Sequence, residues 1–229
     1  MTQQTNMKLQ PSLGLPSKGR IARTLETILK FNDLGIILSN SRCYLGKLTT
    51  SSNLEIRLMS APNVASELTS GNLSFGLTGL DLMLETNNKH IKLLKRFNQS
   101  EAKINLLTPL SWSKSVNLPP LRLCLTPILS SKYQQISRHY ITTKNIKQLH
   151  VTKCKSTTEI EPFVGISNII IDITSSGSTA KTNLLNSSPT SIILTSTLCL
   201  FYNQTSKISS KINTLIHILC HLLTQQYYP

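Results

Sequence analysis

The 229-residue chain carries 24 Lys+Arg against 10 Asp+Glu, a net charge of +14, and is 39% hydrophobic. That apolar fraction excludes a disordered chain, and the length suits one large domain or two small ones. The basic residues are scattered, with no like-charge block and no basic stripe interleaved with aromatics, so no nucleic-acid partner is expected. A/T-biased codons account for the Lys, Asn, Ile, Ser and Thr content, and polyanionic small substrates gain from the same field. Cys43, Cys124, Cys154, Cys199 and Cys220 lie far apart without a CxxC pair, which argues against a zinc ribbon and for free thiols in a reducing compartment. The first residues lack an apolar signal core and no run reaches transmembrane length, so a cytoplasmic protein with no membrane part is expected.

In chain order, residues 1–7 read as a polar leader and Leu9 to Leu15 as a weak strand. "GLPSKGRI" follows, with Gly14 and Gly19 at the spacing of a phosphate-binding P-loop. The match fails because Arg20 and Ile21 stand where Lys and Ser/Thr are needed. Ser17, Lys18, Gly19 and Arg20 still lie at a strand-to-helix junction, which reads either as an anion site or as a solvated turn. Ile21, Leu25, Ile28 and Leu29 mark an amphipathic helix. "LEIRLMS" alternates as a strand, "PNVASELTSG" reads as a helix closed by Gly71, and "LSFGLTG" as another strand. This alternation implies a parallel-type sheet.

"KINLLTP" and "LRLCLTP" read as strands, "SSKYQQISRHYI" as a helix and "IKQLHVTKC" as an extended segment. Ile169, Ile170 and Ile171 form a short apolar run suited to a strand covered on both faces, with Asp172 at its carboxyl end. Thr174 to Thr179 then supply hydroxyls around Gly177, before a helical pattern from Ala180 to Leu185. An acceptor carboxylate beside such a loop suits a sugar phosphate; ordinary Ser/Gly loop chemistry is the alternative. Ser191 to Asn203 reads as a strand pair or one long strand, and Ile208 to Leu223 as a helix docked on the core. His217 and His221 stand at i, i+4 in "HILCH", but without a zincin glutamate and in apolar surroundings they are expected to be structural, so no metal site is expected.

Five of these segments, in register, resemble the ATP phosphoribosyltransferase family. They are "LPSKGR"; "SRCYLGKL", through Arg42, Tyr44 and Gly46; "ELTSGNLSFGLTGLDLMLE", with its Thr-Gly-x-Asp; "TEIEP"; and "IIIDITSSGSTAKTNLL", close to the phosphoribosyl pyrophosphate signature. The chain stops soon after the last strand and one helix, which is similar to the short form of the family. Short forms are catalytic subunits working in a hetero-oligomer with a histidyl-tRNA-synthetase-like regulatory subunit.

The resemblance implies an α/β, two-lobed, periplasmic-binding-protein-like fold with the ligand cleft between lobes. Residues 8–94 plus 188–229 would form lobe I, and 95–187 lobe II with the phosphoribosyl pyrophosphate loop. It implies that adenine N1 of ATP displaces pyrophosphate from phosphoribosyl pyrophosphate, in the first step of histidine biosynthesis, with Mg2+ carried on the pyrophosphate. No side chain acts as nucleophile or general base. Asp172 would hold ribose hydroxyls and Ser175, Ser176, Gly177, Ser178 and Thr179 the 5′-phosphate, with Asn168 nearby. Ser17, Lys18, Gly19, Arg20 and Arg42 would face pyrophosphate or ATP, and Thr78, Gly79, Asp81 and Glu159 would line the cleft. Asn168 stands in place of a family acid, Ser156 of a glycine and Ser74 of an aspartate, and residues 123–129 depart from a Thr-Lys-Tyr strand end. The alternative is a non-catalytic small-anion-binding or regulatory module of the same fold.

Overall fold

The computed structural model describes residues 10–31, 35–38, 43–49, 51–113, 127–154, 157–175, 177–186, 191–206 and 208–224. In chain order these form β1 (Ser12–Pro16), α1 (Gly19–Phe31), β2 (Ile36–Leu38), β3 (Leu45–Leu48), β4 (Ser51–Met59), α2 (Ala61–Thr69), β5 (Phe75–Gly79), α3 (Leu80–Thr86) and β6 (Ile91–Arg96). Then come β7 (Ala102–Pro109), α4 (Leu110–Ser113), β8 (Ile128–Ser131), α5 (Gln134–Thr143), β9 (His150–Lys153), a 3₁₀ turn (Thr158–Ile160) and β10 (Ile169–Thr174). The chain closes with α6 (Ser178–Thr182), β11 (Leu185–Asn186), β12 (Ile192–Ser196), β13 (Leu198–Asn203) and α7 (Ser210–Thr224).

Two compact units result, residues 1–100 with 198–229, and residues 101–197. The first unit holds a seven-stranded sheet ordered β2-β3-β4-β1-β5-β13-β6. Its centre, β4-β1-β5, is parallel, as strand–helix–strand alternation requires, and β13 is antiparallel to β5 and β6. Leu13, Leu15, Leu54, Ile56 and Leu200 point to one face, where Ile21 and Leu25 of α1 and Ile212, Ile216 and Leu219 of α7 cover them. These helix residues recur at i, i+4 and i+7, so each helix presents one apolar stripe. The stripe expected in the tail is thus docked core.

The opposite face carries α2 and α3. Gly14 and Gly76 are paired across β1 and β5 beneath α2. A Cβ on Gly14 would lie 2.5 Å from Leu73 Cδ1, and one on Gly76 would lie 2.8 Å from Val64 Cγ1. The glycine whose spacing suggests a P-loop is therefore mid-strand, and it lets a helix sit close on the sheet.

The second unit is a sheet ordered β11-β7-β10-β8-β9, with β12 also on β7. β10, β8 and β9 are parallel; β7 runs against β10. Ile169 and Ile171 face α5 through Tyr133 and Ile136, and Ile170 faces Ala180 of α6. The isoleucine run is covered on both faces, as its lack of alternation demands.

Three expectations change. Leu185 belongs to β11 rather than to a helix: Leu184 takes φ +52, which ends α6, and Leu185 pairs with Pro109. Ser191 to Asn203 is a strand pair, but its halves join different sheets, β12 on β7 and β13 between β5 and β6. For the same reason the chain leaves the first unit after residue 100 and returns after 197, not after 94 and 187. "LRLCLTP" lies outside the described residues except for Pro127.

Candidate functional site

In the second unit the site is built on the carboxyl end of β10. The parallel register with β8 ends at Ile171↔Ser131, while β7 continues opposite Asp172, Ile173 and Thr174. Asp172 is therefore the first residue to pass the end of β8, the place where open α/β sheets meet ligands. Its side chain is 7% exposed, and Oδ1 accepts from Ile173 N–H at 2.7 Å. Burial pushes the carboxyl above the ordinary aspartate value of 3.8. The Glu159 charge adds to this, while the Ile173 N–H, the Thr158 hydroxyl and the Lys132 ammonium pull the other way.

Beyond the strand, Ser175 is exposed and Gly177 takes φ +73, with open space where a Cβ would be. Only glycine adopts that angle without strain. The Gly177 carbonyl accepts from Lys181 N–H at 3.1 Å, so Gly177 starts α6, and Ser178 and Thr179 form its first turn. The helix is five residues long, so what this segment could offer an anion is loop amides more than a helix dipole. Ser176 and Ser156 are outside the described residues.

Asn168 does not join this group. It precedes β10, four residues from Asp172, which along a strand is about 13 Å. Its Oδ1 accepts from Ile128 N–H and its own N–H donates to the Ile128 carbonyl, both at 2.8 Å. The amide clamps the far end of β8 to β10, a structural duty.

Lys132 is a candidate site residue that sequence reading missed. The departure from Thr-Lys-Tyr assigned to residues 123–129 rests on a misplaced strand: 123–126 are outside the described residues, and β8 ends at Ser131. Ser131-Lys132-Tyr133 is then the strand end, with Ser for Thr. Lys132 is exposed beside Asp172, and Tyr133 is buried at the cap position just before α5. The "SSKY" at the head of a helical pattern was the available signal.

In the first unit, β1, β4 and β5 end side by side and lead into α1, α2 and α3. Ser17 N–H donates to the Met59 carbonyl at 2.7 Å, joining two of these ends. Lys18 and Gly19 are exposed, Arg20 is half-buried, and Gly19 takes φ +88. Ser60 caps α2 by accepting from Asn63 N–H at 3.3 Å. Thr78 is fully buried and donates to the Ala61 carbonyl at 3.0 Å, so its hydroxyl proton braces β5 against α2. Gly79 caps α3, and Asp81 is buried in its first turn. Ser74 is buried, with its Oγ near Ser12 N–H. Arg42 lies outside the described residues. Lys18 and Arg20, amid converging helix starts, give this end a positive potential suited to anions.

His217 and His221 are exposed on α7, and among the described residues no three His, Cys, Asp or Glu side chains could hold a metal. Among the described residues, Cys43, Cys154, Cys199 and Cys220 form no disulfide; Cys124 is outside the described residues. Among the described residues no helix is long and apolar enough to cross a membrane.

The family model of HisG, ATP phosphoribosyltransferase, matches residues 60–222. The chain belongs to the ATP phosphoribosyltransferase family. An ATP phosphoribosyltransferase of Rhizobium etli is 28% identical over 203 residues, 82% of this chain and 88% of the relative. One from Brucella suis is 26% identical over 215 residues, 88% and 93% of the two chains. Among solved structures, the ATP phosphoribosyl transferase (HisG:HisZ) complex from Thermotoga maritima superposes with a TM-score of 0.70 at 21% identity, over 93% of this chain and 96% of that one. The periplasmic VFT2 domain of Bordetella pertussis BvgS superposes at 0.53 and 10% identity, over 93% and 87%. These likenesses establish the fold as the expected α/β, two-lobed, periplasmic-binding-protein-like class of the ATP phosphoribosyltransferases.

Proposed function

We infer that this chain is an ATP phosphoribosyltransferase, a pentosyltransferase that joins adenine N1 of ATP to phosphoribosyl pyrophosphate in the first step of histidine biosynthesis. The observation that carries the site reading is Asp172, a buried carboxyl beyond the end of β8, followed at once by the Ser175–Thr179 loop. The N1 lone pair attacks the anomeric carbon, the bond to pyrophosphate oxygen breaks, and pyrophosphate leaves with the bonding electrons, inverting the centre. No protein nucleophile is needed; the work is in-line positioning and fixed charge.

Asp172 accepts from the ribose hydroxyls, and loop amides and hydroxyls hold the 5′-phosphate. Lys132 faces the same ligand. Ser17, Lys18, Gly19, Arg20 and Arg42 serve the pyrophosphate or the ATP triphosphate. Gly79 and Asp81 of the first unit and Glu159 of the second complete the substrate contacts. Mg2+ arrives on the pyrophosphate as part of the substrate. A histidyl-tRNA-synthetase-like regulatory subunit is the proposed partner, supported by the HisG:HisZ composition of the Thermotoga complex, and the cytoplasm is the proposed compartment.

The test is phosphoribosyl-ATP formation from ATP, Mg2+ and phosphoribosyl pyrophosphate, with and without that partner. Turnover that rises with the partner and collapses in Asp172→Ala is expected. Folded protein that makes no product in either condition contradicts the reading.

A further inference from the structure

Past Ile171, β10 has lost its β8 neighbour, and the residues leading into the phosphate loop are laddered to β7. Asn105 of β7 stands directly opposite Asp172 and is 4% exposed. Its Nδ2 donates to Thr174 Oγ1 at 2.5 Å, and the Thr174 hydroxyl donates onward to the Lys103 carbonyl at 3.3 Å. Side chains alternate along a strand and directly opposed residues share a face, so Asp172, Asn105 and Thr174 lie on one side of the sheet. A buried amide in a central strand is costly unless hydrogen-bonded, and a β-branched apolar residue would fill the place more simply.

We propose that Asn105 is a positioning residue for the phosphoribosyl site: acting through Thr174, it fixes where the phosphate loop starts relative to Asp172. The inference rests on the function proposed above. An amide suits the duty because it supplies a donor to Thr174 without adding charge. An aspartate there would set a second carboxylate opposite Asp172 and beside the ligand phosphate. Thr174 needs its hydroxyl for both bonds, as acceptor from Asn105 and donor to Lys103.

The test is equilibrium binding of phosphoribosyl pyrophosphate and, separately, of ATP to wild-type protein, Asn105→Val, Thr174→Val and the double variant. Wild-type turnover is recorded alongside. Each single variant is expected to weaken phosphoribosyl pyrophosphate binding roughly 3- to 10-fold, the worth of one neutral hydrogen bond. ATP binding should stay within about twofold by the same scale, and the double variant should lose little more than either single one, because both remove the same link. Thr174→Ser keeps the hydroxyl and should bind like wild type; with Thr174→Val it reads the link even if Asn105→Val does not fold. Equal weakening for both ligands, additive losses, or unchanged phosphoribosyl pyrophosphate binding in folded variants would overturn the proposal. Wild-type protein that binds phosphoribosyl pyrophosphate without turnover contradicts the reaction but leaves this test readable. Wild-type protein that does not bind it overturns both.

Discussion

Ser131 ties the end of β8 to Ile171, the residue before Asp172. Its Oγ donates to the Ile171 carbonyl at 2.6 Å and accepts from Tyr133 N–H at 2.9 Å, and the side chain is fully buried. Between the two bonds stands Lys132, so the brace also aims that lysine. Ser131→Ala leaves two buried backbone groups without their partner, at a cost of about 1–3 kcal/mol for an unsatisfied group. Urea unfolding should show a loss of that order, with weaker phosphoribosyl pyrophosphate binding, and Ser131→Thr should keep most of both. A stability change under about 0.5 kcal/mol, as for an ordinary surface change, would contradict the brace.

Asp172 sets function against stability. Burial raises its carboxyl in the folded state, so the folded chain holds that proton more tightly than the unfolded one. Its contribution to stability is then present below the unfolded value of 3.8 and lost as pH rises through the raised folded value. At neutral pH Asp172→Asn should raise the melting temperature of ligand-free protein while weakening phosphoribosyl pyrophosphate binding. Below the unfolded value the stability gain should vanish. Calorimetric melting across that pH range checks the sign; destabilisation at neutral pH would refute it.

The neighbours of Asp172 should move the acid limb of kcat/KM for phosphoribosyl pyrophosphate in opposite directions. Glu159 raises the carboxyl and Lys132 lowers it. Glu159→Gln should therefore shift the limb to lower pH and Lys132→Met to higher pH, the latter with weaker binding throughout. A limb that stays fixed in both variants would assign the titration to another group.

What the sequence made legible follows from local rules. The unbroken Ile169–Ile171 run required a strand covered on both faces, and the i, i+4 spacing of Ile21/Leu25 and Ile212/Ile216 required two docked helices. Pairing between distant segments was harder. Asp172 reads as a strand end, yet the strand runs to Thr174 because β7 still ladders it. Nothing local near Asn105 announces that it will face Asp172. Lys132 was missed because the Thr-Lys-Tyr pattern was sought in residues 123–129, and Gly14 invited a phosphate reading because loop and close-packing glycines look alike in one dimension. Asn168 was placed near the ligand by the resemblance, where it stands in for a family acid, and one-dimensional matching does not show that its amide is engaged with Ile128 at the other end of the strand.

Gly14 separates those two glycine roles by experiment. A Cβ there would lie 2.5 Å from Leu73 Cδ1 and 3.2 Å from Val64 Cγ1, whereas around Gly19 the space is open. Gly14→Ala should cost about 1–3 kcal/mol by overpacking beneath α2 and leave phosphoribosyl pyrophosphate and ATP affinity of the folded fraction unchanged. Denaturant unfolding with parallel ligand titrations checks both. A selective loss of ligand affinity without a stability change would place Gly14 in the site instead.

The assignment of β10 and its loop to the phosphoribosyl moiety is tested most directly by equilibrium binding to Asp172→Ala, with ATP as the internal control. The account predicts at least about a tenfold loss for phosphoribosyl pyrophosphate, as for a hydrogen bond to a charged group, and near-unchanged affinity for ATP. Unaltered phosphoribosyl pyrophosphate affinity, or an equal loss for both ligands, would contradict it.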